Sequence, residues 1–299
     1  MSKRVLKLAF FGAGGKMGRG CCKKLRNTGE FDLRPVEVDE EGIKLLAEMG
    51  MQVIPGAEAV SDADVVMFAV PDADVLEIMG EMVPKVPAGA LVMMLDPCAA
   101  WSGKLPKRDD IGYFISHPCH HSFLEKRKPG QHIVTALAQG TEEQYELGVR
   151  IARTVYSPVL DAHRLSVDQM VLLEPVVSET VAGPCCAAIK EGYDEVVKMG
   201  VPEKAAFDFL LGHVTATLWV MFGFGGFFSD GAHKILKMGH GIMLKEDWKK
   251  AFTPESIKEQ VDLVLTHTGE EKGGGEGVIG DEAVDDAVTR GGIVAGARG

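Results

Sequence analysis

The chain has 299 residues, 46% hydrophobic and 25% charged, the mix of an ordinary soluble protein able to bury one large core or two medium ones, with two domains the default. Its 43 acidic and 32 basic residues leave a formal net charge of −11, and no basic run is long enough to neutralise phosphates, which argues against a nucleic-acid or anionic membrane surface as partner. Six cysteines, four of them in the adjacent pairs Cys21-Cys22 and Cys185-Cys186, make a poor disulfide framework and read as reduced. The N-terminus is too short in apolar residues for a signal sequence, and the most apolar stretch, 218–228, is broken by glycines. A cytoplasmic protein without a membrane span is expected.

In chain order, the apolar run VLKLAFF at 5–11 reads as a buried strand that feeds into GAGGKMG at 12–18 and then a helix. A strand, glycine turn and helix start in that order open a dinucleotide-binding fold. Gly12 permits the tight turn, Gly14 and Gly15 let backbone N–H groups approach a pyrophosphate, and Gly18 lets the helix pack on the strand. Ala13, Lys16 and Met17 complete the loop, Lys16 adding positive charge. The last glycine comes one residue later than in G-x-G-x-x-G. A second strand, LRPVEV at 33–38, carries Glu37, and Asp39 follows. Acids at this distance accept hydrogen bonds from the adenine ribose and repel a 2′-phosphate, so the expected cofactor is NAD rather than NADP. The alternative is a strand-helix unit that binds nothing.

Further apolar runs at 51–54, 64–70, 90–95, 113–116 and 132–138, each followed by turn residues, predict an α/β fold with a mostly parallel, doubly wound sheet. Ligands of such sheets sit beyond the strand carboxyl ends, here Val70, Pro71, Asp72, Asp96 and His117, and Val70, Pro71 and Asp72 are assigned to the cofactor. Beyond residue 140, Thr141 with Gln144 and Ser166 with Gln169 form capping boxes that start helices, separated by an extended piece, VLDAHRL. Pro175 and Pro184 predict breaks in the helical region that runs to Met199, and further helices follow to Met221 and from Pro254 to Leu265. The expected organisation is an NAD-binding Rossmann domain at 1–140, an all-helical substrate and dimerisation domain at 141–268, and a glycine-rich acidic tail at 269–299 too poor in apolar residues to order.

The densest chemistry is HPCHHS at 117–122. An imidazole beside the nicotinamide can take a hydroxyl proton as hydride leaves, and His117, at a strand end and stiffened by Pro118, is the first choice over His120 and His121. A zinc site built from His117, Cys119, His120 and His121 is the sharper alternative, though consecutive residues rarely close a tetrahedron. The plainer one is that these histidines satisfy buried backbone groups. In the apolar stretch MVLLEPVV, Glu174 and Ser178 share a helix face beside Pro175, with Glu179 and Thr180 following. Carboxylates among core residues are not simple surface charges; the plainer alternative is a buried cap or ion pair. Asp208 and His213 interrupt an apolar helix, where a histidine is more often structural. Ser229-Asp230 reads as a helix cap, and Lys190 with Asp194 as a solvated pair.

Two resemblances arise at these residues. VDQMVLLEPVVSETV, MGVPEKAAFDFLLGH and FFSDGAHKILKMG resemble the helical domain of ketol-acid reductoisomerases, within the superfamily of 6-phosphogluconate and 3-hydroxyisobutyrate dehydrogenases. That resemblance places Asp168 and Asp208 at two acidic metal-ligand positions, with Arg164 and Gly212 where the other two acids stand, so a divalent metal is left open. FGAGGKMG, VEV, LPKRDDIGYFISHPCH, QHIV, HRLSVDQMVLLEP with SET, and DFLLGH with FSD resemble the NAD-dependent D-apionate oxidoisomerases over residues 7–260. This resemblance implies NAD-dependent oxidation of the C2 hydroxyl of a branched sugar acid, followed by a ketol shift to 3-oxo-isoapionate, in a homodimer. His117 would be the base, Glu174 and Ser178 would handle the substrate hydroxyls and His213 would assist. The sequence departs from that family in having only FLEKRKPG between HPCHHS and QHIV, where a longer acidic insertion is expected. The rivals are a hydroxy-acid dehydrogenase without rearrangement and an NAD-binding redox sensor without turnover.

Overall fold

The computed structural model describes residues 4–120 and 130–267. Seven strands form one sheet in the order β2-β1-β3-β4-β5-β6-β7. They are β1 Leu6–Phe11, β2 Phe31–Val36, β3 Val65–Phe68, β4 Leu91–Met94, β5 Gly112–Pro118, β6 Gln131–Gln139 and β7 Val159–Arg164. The first five run parallel, β6 pairs antiparallel with β5, and β7 pairs parallel with β6. The interleaved helices are α1 Lys16–Thr28, α2 Glu40–Glu48, α3 Gly56–Val60, α4 Asp72–Met82, α5 Cys98–Trp101 and α6 Glu142–Val155. Because side chains alternate across a strand, the central strands supply two cores. Ala9, Phe11, Val66, Phe68, Val92 and Met94 line one face; Leu8, Phe10, Val65, Met67, Leu91 and Met93 line the other.

The run MQVI at 51–54 is not a strand. Met51 is buried and Ile54 N–H donates to the Pro35 carbonyl at 2.8 Å, but Pro55 follows at once and starts α3, so the segment crosses the sheet end as a loop. VLDAHRL, by contrast, joins the sheet as β7, which carries the sheet past residue 140 to Arg164.

Both capping boxes form: Thr141 caps α6 and Ser166 caps α7, Val167–Val171. The wide-turn π segment Leu172–Ala182 follows, with Glu174 in an extended conformation at φ −134° and ψ 113°. A proline disfavours helical geometry in the residue before it, and Pro175 imposes this break. Pro184 lies in the first turn of α8, Gly183–Lys198, where its missing N–H costs nothing. α9 Glu203–Met221, α10 Asp230–Met243, capped by Ser229, and α11 Pro254–Val264 complete the chain to Leu265. α11 folds back so that Val261 packs with Val171 and Cys98. The three helices before it bury almost nothing: Ala206 of α9 is their one buried residue.

By length and hydropathy the helical run Val167–Lys198 is apolar enough to cross a membrane, against the expectation that no stretch is. It is interrupted at Glu174. His121 and the expected tail at 269–299 lie outside the described residues.

Candidate active site

Two cavities open at the carboxyl ends of the parallel strands, where β1 leads to β2 on one side and β3 stands on the other. The larger, about 590 Å³, is lined by Gly12, Gly14, Gly15, Glu37, Val38 and Pro71 among others. Gly12 sits at φ +73°, and a Cβ there would lie 2.2 Å from the Ala69 carbonyl oxygen, so the turn admits no side chain. At Gly14 a Cβ would lie 2.6 Å from Gly42 Cα, and at Gly18 one would lie 2.1 Å from the Gly12 oxygen. The glycine loop is therefore pressed onto both α2 and β3. Ala13 is buried and its N–H donates to the Val36 carbonyl, fixing the loop to β2.

Glu37 directly follows β2 with its carboxylate over this loop, accepting from Gly14 N–H at 2.7 Å and Val38 N–H at 2.8 Å. Asp39 acts differently, as the N-cap of α2, accepting from Gly42 N–H at 2.8 Å. The cleft thus presents glycine backbone, an α1 N-terminus and an acid just past β2, groups that fit an NAD dinucleotide.

The smaller cavity, about 260 Å³, adjoins it through Val70 and contains Asp72, Asp96, His117, Glu174 and Glu179. Met17 contributes to its wall. Asp72, assigned to the cofactor from sequence, faces this second cavity instead. His117 Nδ1 lies 2.9 Å from the Leu95 carbonyl oxygen. A carbonyl can only accept, so Nδ1 carries the hydrogen and Nε2 of the neutral ring keeps its lone pair toward the cavity. Nε2 is 4.0 Å from Glu174 Oε2, and the Ser178 hydroxyl donates to that same oxygen. Sequence reasoning placed these three residues in one site, and the fold brings them together from β5 and the π segment.

The carboxyls are crowded. Asp72 keeps solvent contact, yet burial of its carboxyl, reinforced by the Asp96 charge, pushes it up to about 6. Burial also raises Asp96, against the Cys98 N–H it accepts at 2.7 Å. Glu179 is exposed along much of its length, but burial of its carboxyl and then the Glu174 charge push it up to about 7.

His213 does not line this cavity; its Nδ1 bonds the Phe209 carbonyl at 2.8 Å on α9 and its ring stacks on Phe209. His120 lies in a third cavity with Lys16 and Gln131. Asp168 accepts from Trp101 Nε1–H at 2.9 Å, and Asp208 pairs with Lys204. Neither lines the cavity, and among the described residues no three His, Cys, Asp or Glu side chains are grouped to hold a metal ion.

Residues 127–265 match the family model for the phosphogluconate dehydrogenase (decarboxylating) C-terminus, and residues 7–94 that for coenzyme F420-dependent NADP oxidoreductase. A D-apionate oxidoisomerase of Rhizobium rhizogenes is 39% identical over 272 residues, 86% of this chain and 98% of the relative. The chain belongs to the D-apionate oxidoisomerase family. A Cupriavidus necator structure, a semialdehyde dehydrogenase NAD-binding protein in complex with calcium and NAD, superposes with a TM-score of 0.82 at 38% identity, covering 87% of this chain and all of that one. An NADH-preferring ketol-acid reductoisomerase from an uncultured archean shares the fold at a TM-score of 0.65 and 17% identity, covering 99% of this chain and 90% of its own.

Proposed function

We propose that the chain is an NAD-dependent D-apionate oxidoisomerase. The observation that carries this reading is the meeting of His117 Nε2, with its lone pair free, and Glu174 in a cavity that opens beside the dinucleotide cleft. NAD, held by Gly12, Gly14, Gly15 and Glu37, supplies the hydride acceptor. His117 takes the proton of the substrate C2 hydroxyl as the C2–H electron pair leaves as hydride, giving the 2-oxo acid. In the ketol shift that follows, the C3 hydroxyl loses its proton, the hydroxymethyl group carries its bonding pair from C3 to C2, and the C2 oxygen is protonated. Glu174, positioned by Pro175 and oriented by Ser178, is placed to exchange those protons.

The functional form is a cytoplasmic homodimer on this reading. α9 is predominantly apolar yet largely exposed, a pattern that needs burial, and Phe222, Phe227 and Ile242 are 72%, 86% and 72% exposed. Two copies meeting through α8, α9 and α10 would cover these faces with one self-complementary surface.

The test is to incubate the purified chain with NAD and D-apionate, follow NADH, and determine the product's carbon skeleton by NMR. A rearranged product supports the proposal. An unrearranged 2-oxo acid identifies a plain dehydrogenase, and no NADH with any sugar acid leaves a binding protein.

A further inference from the structure

The small cavity holds four carboxyl groups and one imidazole, and no lysine or arginine is among its lining residues. Two like charges 4 Å apart repel by about 4 kcal/mol at a protein-surface dielectric. The group therefore relieves itself by keeping a proton. Glu174 and Glu179 both line this cavity, and the neighbouring Glu174 carboxyl raises that of Glu179; two carboxyls can face each other at hydrogen-bond range only if one of them is protonated. Glu174 already accepts from Ser178 and faces His117, so it is the acceptor and Glu179 the donor.

Chain geometry explains why these two meet. Glu174 is extended at the break before Pro175, and both side chains line the same cavity from that one segment. The other groups facing Glu179 are Asp72 at the start of α4, Asp96 after β4 and His117 on β5. From α11, the neutral Gln260 accepts from Thr180.

Resting on the oxidoisomerase reading, we propose that Glu179 is a further catalytic residue: with Glu174 it forms an acid–carboxylate pair that carries one proton between substrate oxygens in the ketol shift. The Glu174 carboxylate takes the proton from the C3 hydroxyl. As the oxygen lone pair forms the C3 carbonyl, the hydroxymethyl group moves with its bonding electrons to C2, and the C2 oxygen, receiving the former carbonyl π pair, takes the proton of Glu179. The proton on Glu174 then passes along the hydrogen bond to Glu179, restoring the pair with no net proton, electron or co-reactant consumed.

The experiment uses the full chain, NAD and carbon-13 D-apionate, reading first-turnover NADH by stopped flow and rearranged product by rapid quench and NMR across pH. Wild type comes first: NADH without rearranged product overturns the oxidoisomerase reading and this pair's role with it. With wild type active, Glu179→Gln should form NADH within about 3-fold of wild type while rearranging more slowly by about 10²-fold or more, in the range of a lost proton-transfer group. The wild-type rearrangement rate should fall as pH rises through about 7, where the pair loses its proton, and the variant should lack that limb. Glu179→Asp should recover part of the rate. The double variant Glu174→Gln/Glu179→Gln should be no more than about 2-fold slower than the worse single variant, because the residues act as one unit. Wild-type rearrangement and pH profile in Glu179→Gln, equal loss of NADH and rearranged product, or additive defects in the double variant would each overturn the proposal.

Discussion

Glu37 accepts from the Gly14 amide of the glycine loop and from its neighbour Val38, and an acid placed there opposes a 2′-phosphate. A hydrogen bond to a charged group contributes roughly 1.5–3 kcal/mol, so Glu37→Ala should reduce the ratio of kcat/KM for NAD over NADP about 10-fold or more, read by parallel steady-state assays. On the proposed mechanism, His117→Asn should lower kcat by about 10²- to 10⁴-fold with the NAD dissociation constant nearly unchanged, because His117 lines the smaller cavity and not the glycine-loop cleft. Asp72 gives a stability test. Its folded-state carboxyl titrates near 6 and its unfolded one near 3.9. The folded state therefore binds more protons between those values, and stability falls as pH rises through that window. Asp72→Asn should raise Tm above about pH 6 and leave it unchanged near pH 4; an equal gain at both would remove the electrostatic cause. At this scale the local motif was legible: glycines 12, 14 and 18 and Glu37 follow from spacing in one strand-turn-helix unit. Glu179 escaped because α-helical periodicity places it off the Glu174 face, and Asp72 changed cavities because its surroundings come from β4, β5 and the π segment.

At the scale of elements, punctuation by proline and capping residues read well, since each acts within a few residues. Thr141, Ser166 and Pro175 did what their chemistry requires. The run at 51–54 misled because four apolar residues bury equally well as a loop across the sheet end, and periodicity cannot separate the two. His213 sits in an apolar helix and bonds its own preceding turn, the ordinary fate of such a histidine. Pro175 has a functional consequence. With alanine there, an amide N–H returns and the pressure on Glu174 to stay extended is relieved. Pro175→Ala should therefore lower kcat at least about 10-fold while moving KM for NAD little, and steady-state kinetics with both substrates varied would check it. Unchanged kcat would mean that Glu174 is held in place without the proline.

For the whole molecule, a mostly parallel sheet covered on both faces was legible from hydrophobic runs, whereas the strand order was not, nor was the exposure of α8, α9 and α10, because an apolar helix reads the same whether its own chain or a second copy covers it. Light scattering should give a dimer mass for wild type, and Ile242→Asp should shift it toward the monomer with loss of turnover; association with liposomes in place of dimerisation would assign the apolar run Val167–Lys198 to a bilayer. The measurement that tests the central claim most directly is the carbon-13 NMR spectrum of the product formed from labelled D-apionate and NAD. The account predicts one NADH for each 3-oxo-isoapionate, with the hydroxymethyl carbon bonded to C2. NADH accompanied by a product that keeps both hydroxymethyl carbons on C3 would contradict it.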